Sequence, residues 1–145
     1  MTAACYFDTS ALAKWYLEED GSDAFEAFVN ACPVRTLSRL TIVEMRCLLA
    51  RRRRAGEIDA DYERNAYSLF ERHLVSGVFA IKAVDEHCFA RALDLIEQLP
   101  EIPLRTLDAL HLSVALAAQA ESVATGDRVM ASAATRLGLG TQFFG

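Results

Sequence analysis

The sequence has no charge-free run of eighteen residues, so no segment reads as a membrane-spanning helix. Its first residues, Met1-Thr2-Ala3-Ala4, lack a basic stretch followed by a long apolar one, and no signal peptide is expected. None of the four cysteines, Cys5, Cys32, Cys47 and Cys88, has a neighbour near enough to form a CxxC metal or redox pair. Each sits in an apolar segment and is expected to be a buried free thiol, which suits a reducing, cytoplasmic setting. An excess of positive charge is also missing. The net charge of −5 argues against a broad electrostatic footprint for nucleic acid, while leaving room for a local basic stripe. With no linker, repeat or low-complexity segment, the 145 residues read as one domain over 1–145. That length, at 52% apolar residues, is enough to bury one core.

What is present is an alternation of short apolar runs with helical patterns. Ala3 to Phe7 suits a buried strand. Ser10 to Leu17 then carries Ala11, Leu12, Trp15 and Tyr16 at helical spacing, and Glu18-Glu19-Asp20-Gly21 is a polar stop. Ser22 to Ala31 predicts a second helix, ended by Pro33. Val34 to Leu37 is the second strand, Thr41 to Arg54 the third helix, and Asp59 to about Ser76 the fourth. Val78 to Val84 is the third strand, followed by a helix from Asp85 to Leu99 and another from Thr106 to about Ala118. Ser122 to Thr125 is a fourth strand, Asp127 to Leu137 a seventh helix, and Thr141 to Phe144 a terminal strand. The alternation predicts an α/β fold: a three-layer α/β/α sandwich around a mostly parallel sheet of four to five strands, joined by right-handed crossovers.

Ligands in such sheets bind beyond the carboxyl ends of the strands, and four acids fall there. Asp8 follows the first strand, Glu44 lies early in the third helix, Asp108 in the first turn of the sixth, and Asp127 after the fourth strand. Each has a plain structural reading. Asp8, Asp108 and Asp127 could cap helices or complement their dipoles, and Thr41 to Glu44 matches the capping box S/T-x-x-E. Together they suggest more. Glu44 sits among Ile42, Val43, Met45, Leu48 and Leu49, and Asp108 between Leu107 and Leu110. An ionised carboxylate in such surroundings is costly unless paired or on a metal, and no lysine lies near any of the four in sequence. Converging carboxylates favour a hard divalent ion such as Mg²⁺ or Mn²⁺, and a water bound to it is a ready nucleophile.

At this point the chain resembles the PIN-domain family, and within it the VapC-like toxins of bacterial toxin–antitoxin pairs. The resemblance runs along essentially the whole chain. It is carried by Phe-Asp-Thr-Ser-Ala-Leu at 7–12, Ser-Arg-Leu-Thr-Ile-Val-Glu at 38–44, Leu-Asp-Ala-Leu-His-Leu at 107–112 and Ala-Thr-Gly-Asp-Arg-Val-Met at 124–130. It implies that Asp8, Glu44, Asp108 and Asp127 bind Mg²⁺ or Mn²⁺ for endonucleolytic RNA cleavage, with Thr9, Ser10 and Thr125 supporting the site. It also implies a homodimer, a cognate antitoxin that wraps the toxin, and no membrane attachment.

Other residues carry competing readings. Arg51 to Arg54 form either a solvated last turn that complements the helix dipole or a contact to RNA phosphate. His111, three residues after Asp108 and so on its helix face, could be a metal ligand, a general acid or a partner of a ligand; its apolar neighbours favour plain packing. His73 and His87 are placed on surface helices with no role. Trp15 is expected in the core or lining a groove, and Tyr16 at an interface; with Phe25 and Phe28 they offer aromatic surface for a partner. Two other functions stay open. One is a binding module that keeps the fold without catalysis. The other is a phosphotransfer protein, disfavoured because Ser10 stands where a phosphatase would want a second Asp and no lysine follows Lys82.

Overall fold

The computed structural model describes residues 3–145; Met1 and Thr2, part of the stretch read for a signal peptide, lie outside the described residues. The chain runs β1 (Ala4–Phe7), α1 (Thr9–Leu12), α2 (Ser22–Ala31), β2 (Val34–Ser38), α3 (Arg39–Arg54), α4 (Ala60–Val75), β3 (Ala80–Lys82), α5 (Glu86–Gln98), α6 (Thr106–Ala117), β4 (Ser122–Thr125), α7 (Arg128–Arg136) and β5 (Gly140–Phe143). The five strands form one sheet in the order β3-β2-β1-β4-β5, and every pairing is parallel. The expected α/β/α sandwich is therefore present, with the sheet entirely rather than mostly parallel.

Alternation along β1 explains the layers. Cys5 and Phe7 point to one face, where they meet Phe25 and Val29 of α2, Met45 and Leu49 of α3 and Phe70 of α4. Tyr6 points to the other, among Leu95 of α5, Leu112 of α6 and Met130 of α7. Both faces are apolar because helices cover both. β1 is central, with β2 on one side and β4 on the other, so the chain reverses direction across the sheet there. The crevice this opens beyond the carboxyl ends of β1 and β4 is the usual ligand site in such sheets.

Several details depart from the sequence reading. The first helix is not continuous: one α turn ends at Leu12 and tightens into a 3₁₀ turn over Ala13–Trp15. Eight residues make a marginal helix alone, and packing sets the course. Tyr16 is buried, with its hydroxyl 2.6 Å from Nδ1 of His73, and the Trp15 ring stacks on that imidazole. Phe25 is buried edge-on against Phe7. Tyr16 and Phe25 are thus core rather than interface, and His73 is no idle surface histidine. β3 is three residues long, shorter than Val78 to Val84. The third helix begins at Arg39, two residues early, because Ser38 is its N-cap: its Oγ accepts the Thr41 N–H at 3.3 Å. The capping box runs from Ser38 to Thr41, not from Thr41 to Glu44, which frees the Glu44 carboxylate. Among the cysteines, Cys5 and Cys88 are buried as expected, whereas Cys47 is exposed.

Candidate metal centre

Asp8 stands at the end of β1, in the position preceding α1, yet its side chain makes no capping bond. The carboxylate is 8% exposed and needs partners. Hydroxyls supply them: Ser10 Oγ and Thr125 Oγ1 donate to Oδ2 at 2.8 and 2.7 Å. The same two oxygens accept from the backbone after β4, Ser10 Oγ from the Gly126 N–H at 2.8 Å and Thr125 Oγ1 from the Asp127 N–H at 3.0 Å. The ends of β1 and β4 are knitted together through side chains, and Oδ2 is saturated. Oδ1 is turned to the cleft, 3.8 Å from His111 Nε2.

Glu44 reaches the same space from α3. Its Oε1 accepts from Thr9 Oγ1 at 2.8 Å and from His111 Nε2. Burial alone would push this carboxyl up, but the hydrogen bond and charge of His111, with help from Thr9, hold it below the usual carboxylate range. Burial opposes charge on His111 in turn; the Glu44 bond and the charges of Asp8, Glu44 and Asp108 outweigh it and raise the imidazole above its ordinary value. Behind the ring, Nδ1 lies 2.6 Å from the Tyr6 hydroxyl, which donates to Ser38 Oγ at 3.0 Å. His111, 2% exposed, is therefore a polar hinge between core and cleft rather than plain packing.

Asp108 and Asp127 are held differently. Arg105 donates from Nε to Asp108 Oδ2 at 3.3 Å and from a terminal nitrogen to Asp127 Oδ2 at 3.1 Å. The capping readings of these two acids also hold. Asp108 Oδ2 accepts the Arg105 backbone N–H at 3.1 Å, and Asp127 Oδ1 accepts from Val129 and Met130 at the start of α7. Arg105, passed over in the sequence because lysine was the cation sought, was signalled by its place three residues before Asp108.

All four acids line one open cleft of about 510 Å³, together with Thr9, Ser10, His111, Arg51, Arg105, Cys47 and the apolar Val43 and Leu107. Among the described residues, Asp8, Glu44 and His111 offer ligand atoms that all lie within 4.8 Å of one another. Two carboxylates and an imidazole at that spacing are a donor set that fits a divalent cation. The arginine run divides. Arg51 faces the cleft, while Arg52 pairs with Glu19 and Glu57 and Arg53 with Glu63.

Comparison with known proteins agrees with this architecture. Residues 5–135 match the PIN domain family. Ribonuclease VapC46 of Mycobacterium tuberculosis is 34% identical over 140 residues, covering 94% of this chain and 95% of that protein. The fold is similar to that of VapC20 of Mycobacterium tuberculosis, described as a sarcin-ricin loop cleaving toxin, with a TM-score of 0.70 at 18% identity over 89% of this chain and 94% of that one. It is also similar to DNA-bound VapBC of Salmonella typhimurium, with a TM-score of 0.67 at 12% identity and complete coverage of both chains. The motifs around the four acids, the parallel sheet and these relatives place the chain in the PIN-domain family, among its VapC-like members.

Proposed function

We propose that the protein is a metal-dependent endoribonuclease, the toxin of a toxin–antitoxin pair, using Mg²⁺ or Mn²⁺ held by Asp8, Glu44, Asp108 and Asp127. The observation that carries the reading is the cleft itself: four carboxylates from four separate stretches of chain meet where a parallel sheet binds ligands. Two of them, Asp8 and Glu44, are oriented by hydroxyls that leave the charge in place. A VapC ribonuclease relative of similar length supports the substrate class.

The chain's own groups divide the work. Asp8 and Glu44 present oxygens to the cleft; Ser10, Thr125 and Thr9 fix their direction. A divalent ion in this donor set would supply an activated water and offset charge developing on the phosphate. Arg105, whose side chain is 74% exposed at the mouth, can reach a phosphate oxygen as well as its carboxylates. Arg51, lining the same cleft, adds a second cationic contact for an RNA backbone. Unpaired or looped RNA suits this open cleft, because its bases can be splayed out and read.

The partner reading includes a homodimer and a cognate antitoxin, the antitoxin supported by structural relatives that are toxin–antitoxin complexes. With Tyr16 and Phe25 in the core, the surface for such contacts lies elsewhere. Val43 and Leu107 at the rim, and Phe89, Leu93 and Ile96 along α5, are among the large apolar side chains left exposed, as are Tyr62, Val75 and Phe143. No helix among the described residues is long and apolar enough to cross a membrane, and the free cysteines suit the reducing cytoplasm in which such a pair would act.

The test is cleavage of total cellular RNA by the unmutated protein and Asp8→Ala, prepared identically, with and without EDTA. Cleavage confined to the unmutated protein with Mg²⁺ or Mn²⁺ supports the reading. Equal cleavage by both proteins points to a contaminating nuclease, and no cleavage under any condition favours a binding module.

A further inference from the structure

We propose that His111 is a nitrogen ligand to the cation held by Asp8 and Glu44, and that this ring biases the site toward a first-row transition ion such as Mn²⁺ over Mg²⁺. The inference rests on the metal-dependent reading above and assigns a role that the four acids do not cover.

Position comes first. Nε2 of His111 bonds Oε1 of Glu44 and lies 3.8 Å from Oδ1 of Asp8. Two donors about 2.1 Å from one small ion stand roughly 3–4 Å apart, so three ligand atoms within 4.8 Å of one another need only small side-chain shifts to share one. Asp108 is less ready as a third ligand, because its Oδ2 is occupied by the Arg105 backbone and guanidinium.

Tautomer comes second. The Tyr6 hydroxyl donates its proton to Ser38 Oγ, so the bond between Tyr6 and His111 Nδ1 is made with the imidazole's proton. Nδ1 is thereby committed, and Nε2 is the ring atom left for the cleft. A histidine that binds metal through one nitrogen is typically oriented by a hydrogen bond at the other, and here that bond comes from β1 itself. The ring is 2% exposed and cannot swing into water.

Donor chemistry comes third. Imidazole is a softer donor than carboxylate, and affinities rise from Mn²⁺ through the later first-row ions at a nitrogen site, whereas Mg²⁺ prefers oxygen. The ring therefore separates Mn²⁺ from Mg²⁺ in a way that four carboxylates alone would not.

The experiment is pulsed electron paramagnetic resonance of the full chain with Mn²⁺. Loss of the free-ion six-line signal on adding protein measures binding, and modulation from a coupled ¹⁴N nucleus reports a nitrogen ligand. The expected result is binding with ¹⁴N modulation, lost in His111→Gln. In that variant Mn²⁺ binding should weaken about tenfold or more while Mg²⁺ binding, read by competition, changes less. Tyr6→Phe should keep the modulation and weaken Mn²⁺ by about tenfold, through lost orientation of the ring. Mn²⁺ bound without ¹⁴N modulation, or modulation that persists in His111→Gln, overturns the role of His111 and leaves the metal site standing. No Mn²⁺ binding by the unmutated protein at millimolar ion overturns both.

Discussion

Asp8 and Asp108 are almost equally hidden, at 8% and 7% exposure, yet the chain treats their charges in opposite ways. Asp8 is surrounded by hydroxyls, and its neighbour Glu44 by a hydroxyl and an imidazole. These groups direct the oxygens, and only the imidazole can offset charge. Asp108 shares one guanidinium with Asp127, which offsets one of their two negative charges. On the proposed reading one half of the cleft would receive a cation; the other carries its own, on the exposed side chain of Arg105. Burial alone does not tell the halves apart. The kind of donor does.

The comparison breaks first at Asp8. Asp8→Ala should remove RNA cleavage by several orders of magnitude and abolish any rise in melting temperature on adding Mn²⁺, because an ion that binds only the folded state stabilises it. If Asp8→Ala keeps the metal-induced rise, the oriented half is not the receiving half. Thr125→Val sharpens the point about orientation. It removes one of two donors to a buried carboxylate oxygen and should cost about 1–3 kcal/mol in urea unfolding of the metal-free protein. Arg105→Ala should cost about as much by the same measure, because it leaves the Asp108 carboxylate, 7% exposed, without its cation. By freeing Asp108 and Asp127 it should raise cation affinity and weaken RNA binding, opposite changes that isothermal titration separates.

Smaller effects test the arginines of α3. Arg51→Ala should weaken RNA binding about equally for all sequences and reduce the salt slope by about one, as the loss of a single phosphate contact does. Arg52→Ala, whose side chain is spent on Glu19 and Glu57, should leave that slope unchanged. The smallest effect lies away from the cleft. Burial, with the charges of Arg72 and Arg35, lowers the pKa of His73 beneath its ordinary 6.5. The unfolded chain then binds more protons than the folded one just below pH 6.5, so stability falls as pH drops through that window. A urea midpoint measured from pH 7 to 5.5 should fall less steeply in His73→Gln.

Much of this was legible in the sequence because it follows local rules. β1, β2 and β4 read correctly from short apolar runs, Asp8 and Asp127 as residues just past strand ends, and Glu44 and Asp108 as residues early in helices. The division among those acids was not legible, since it depends on contacts such as Thr125 with Asp8 that span 117 residues. Glu44 was assigned to a capping box because Thr41-x-x-Glu44 fits the pattern; Ser38, three residues earlier, fits the helix start better and wins. His111 looked like packing because apolar neighbours surround it, and sequence alone cannot show that its ring is threaded between Tyr6 and Glu44. Tyr16 and Phe25 were placed at an interface because two short helices carried more aromatic surface than they needed; a cluster with Phe7, Phe70 and His73 absorbs it.

The position of β4 beside β1 also sets a timetable. Asp8 leaves the ribosome more than a hundred residues before the Thr125 hydroxyl that holds it and the Asp127 carboxylate that lines the same cleft. Closing so long a loop is slow compared with forming helices. Until the segment carrying β4 has been made, the cleft is therefore unfinished. A chain ending at residue 120 should bind no Mn²⁺ in the same resonance titration. A nuclease built on this fold would gain its site only when β4 joins β1, and an inhibitor would have nothing to block before then.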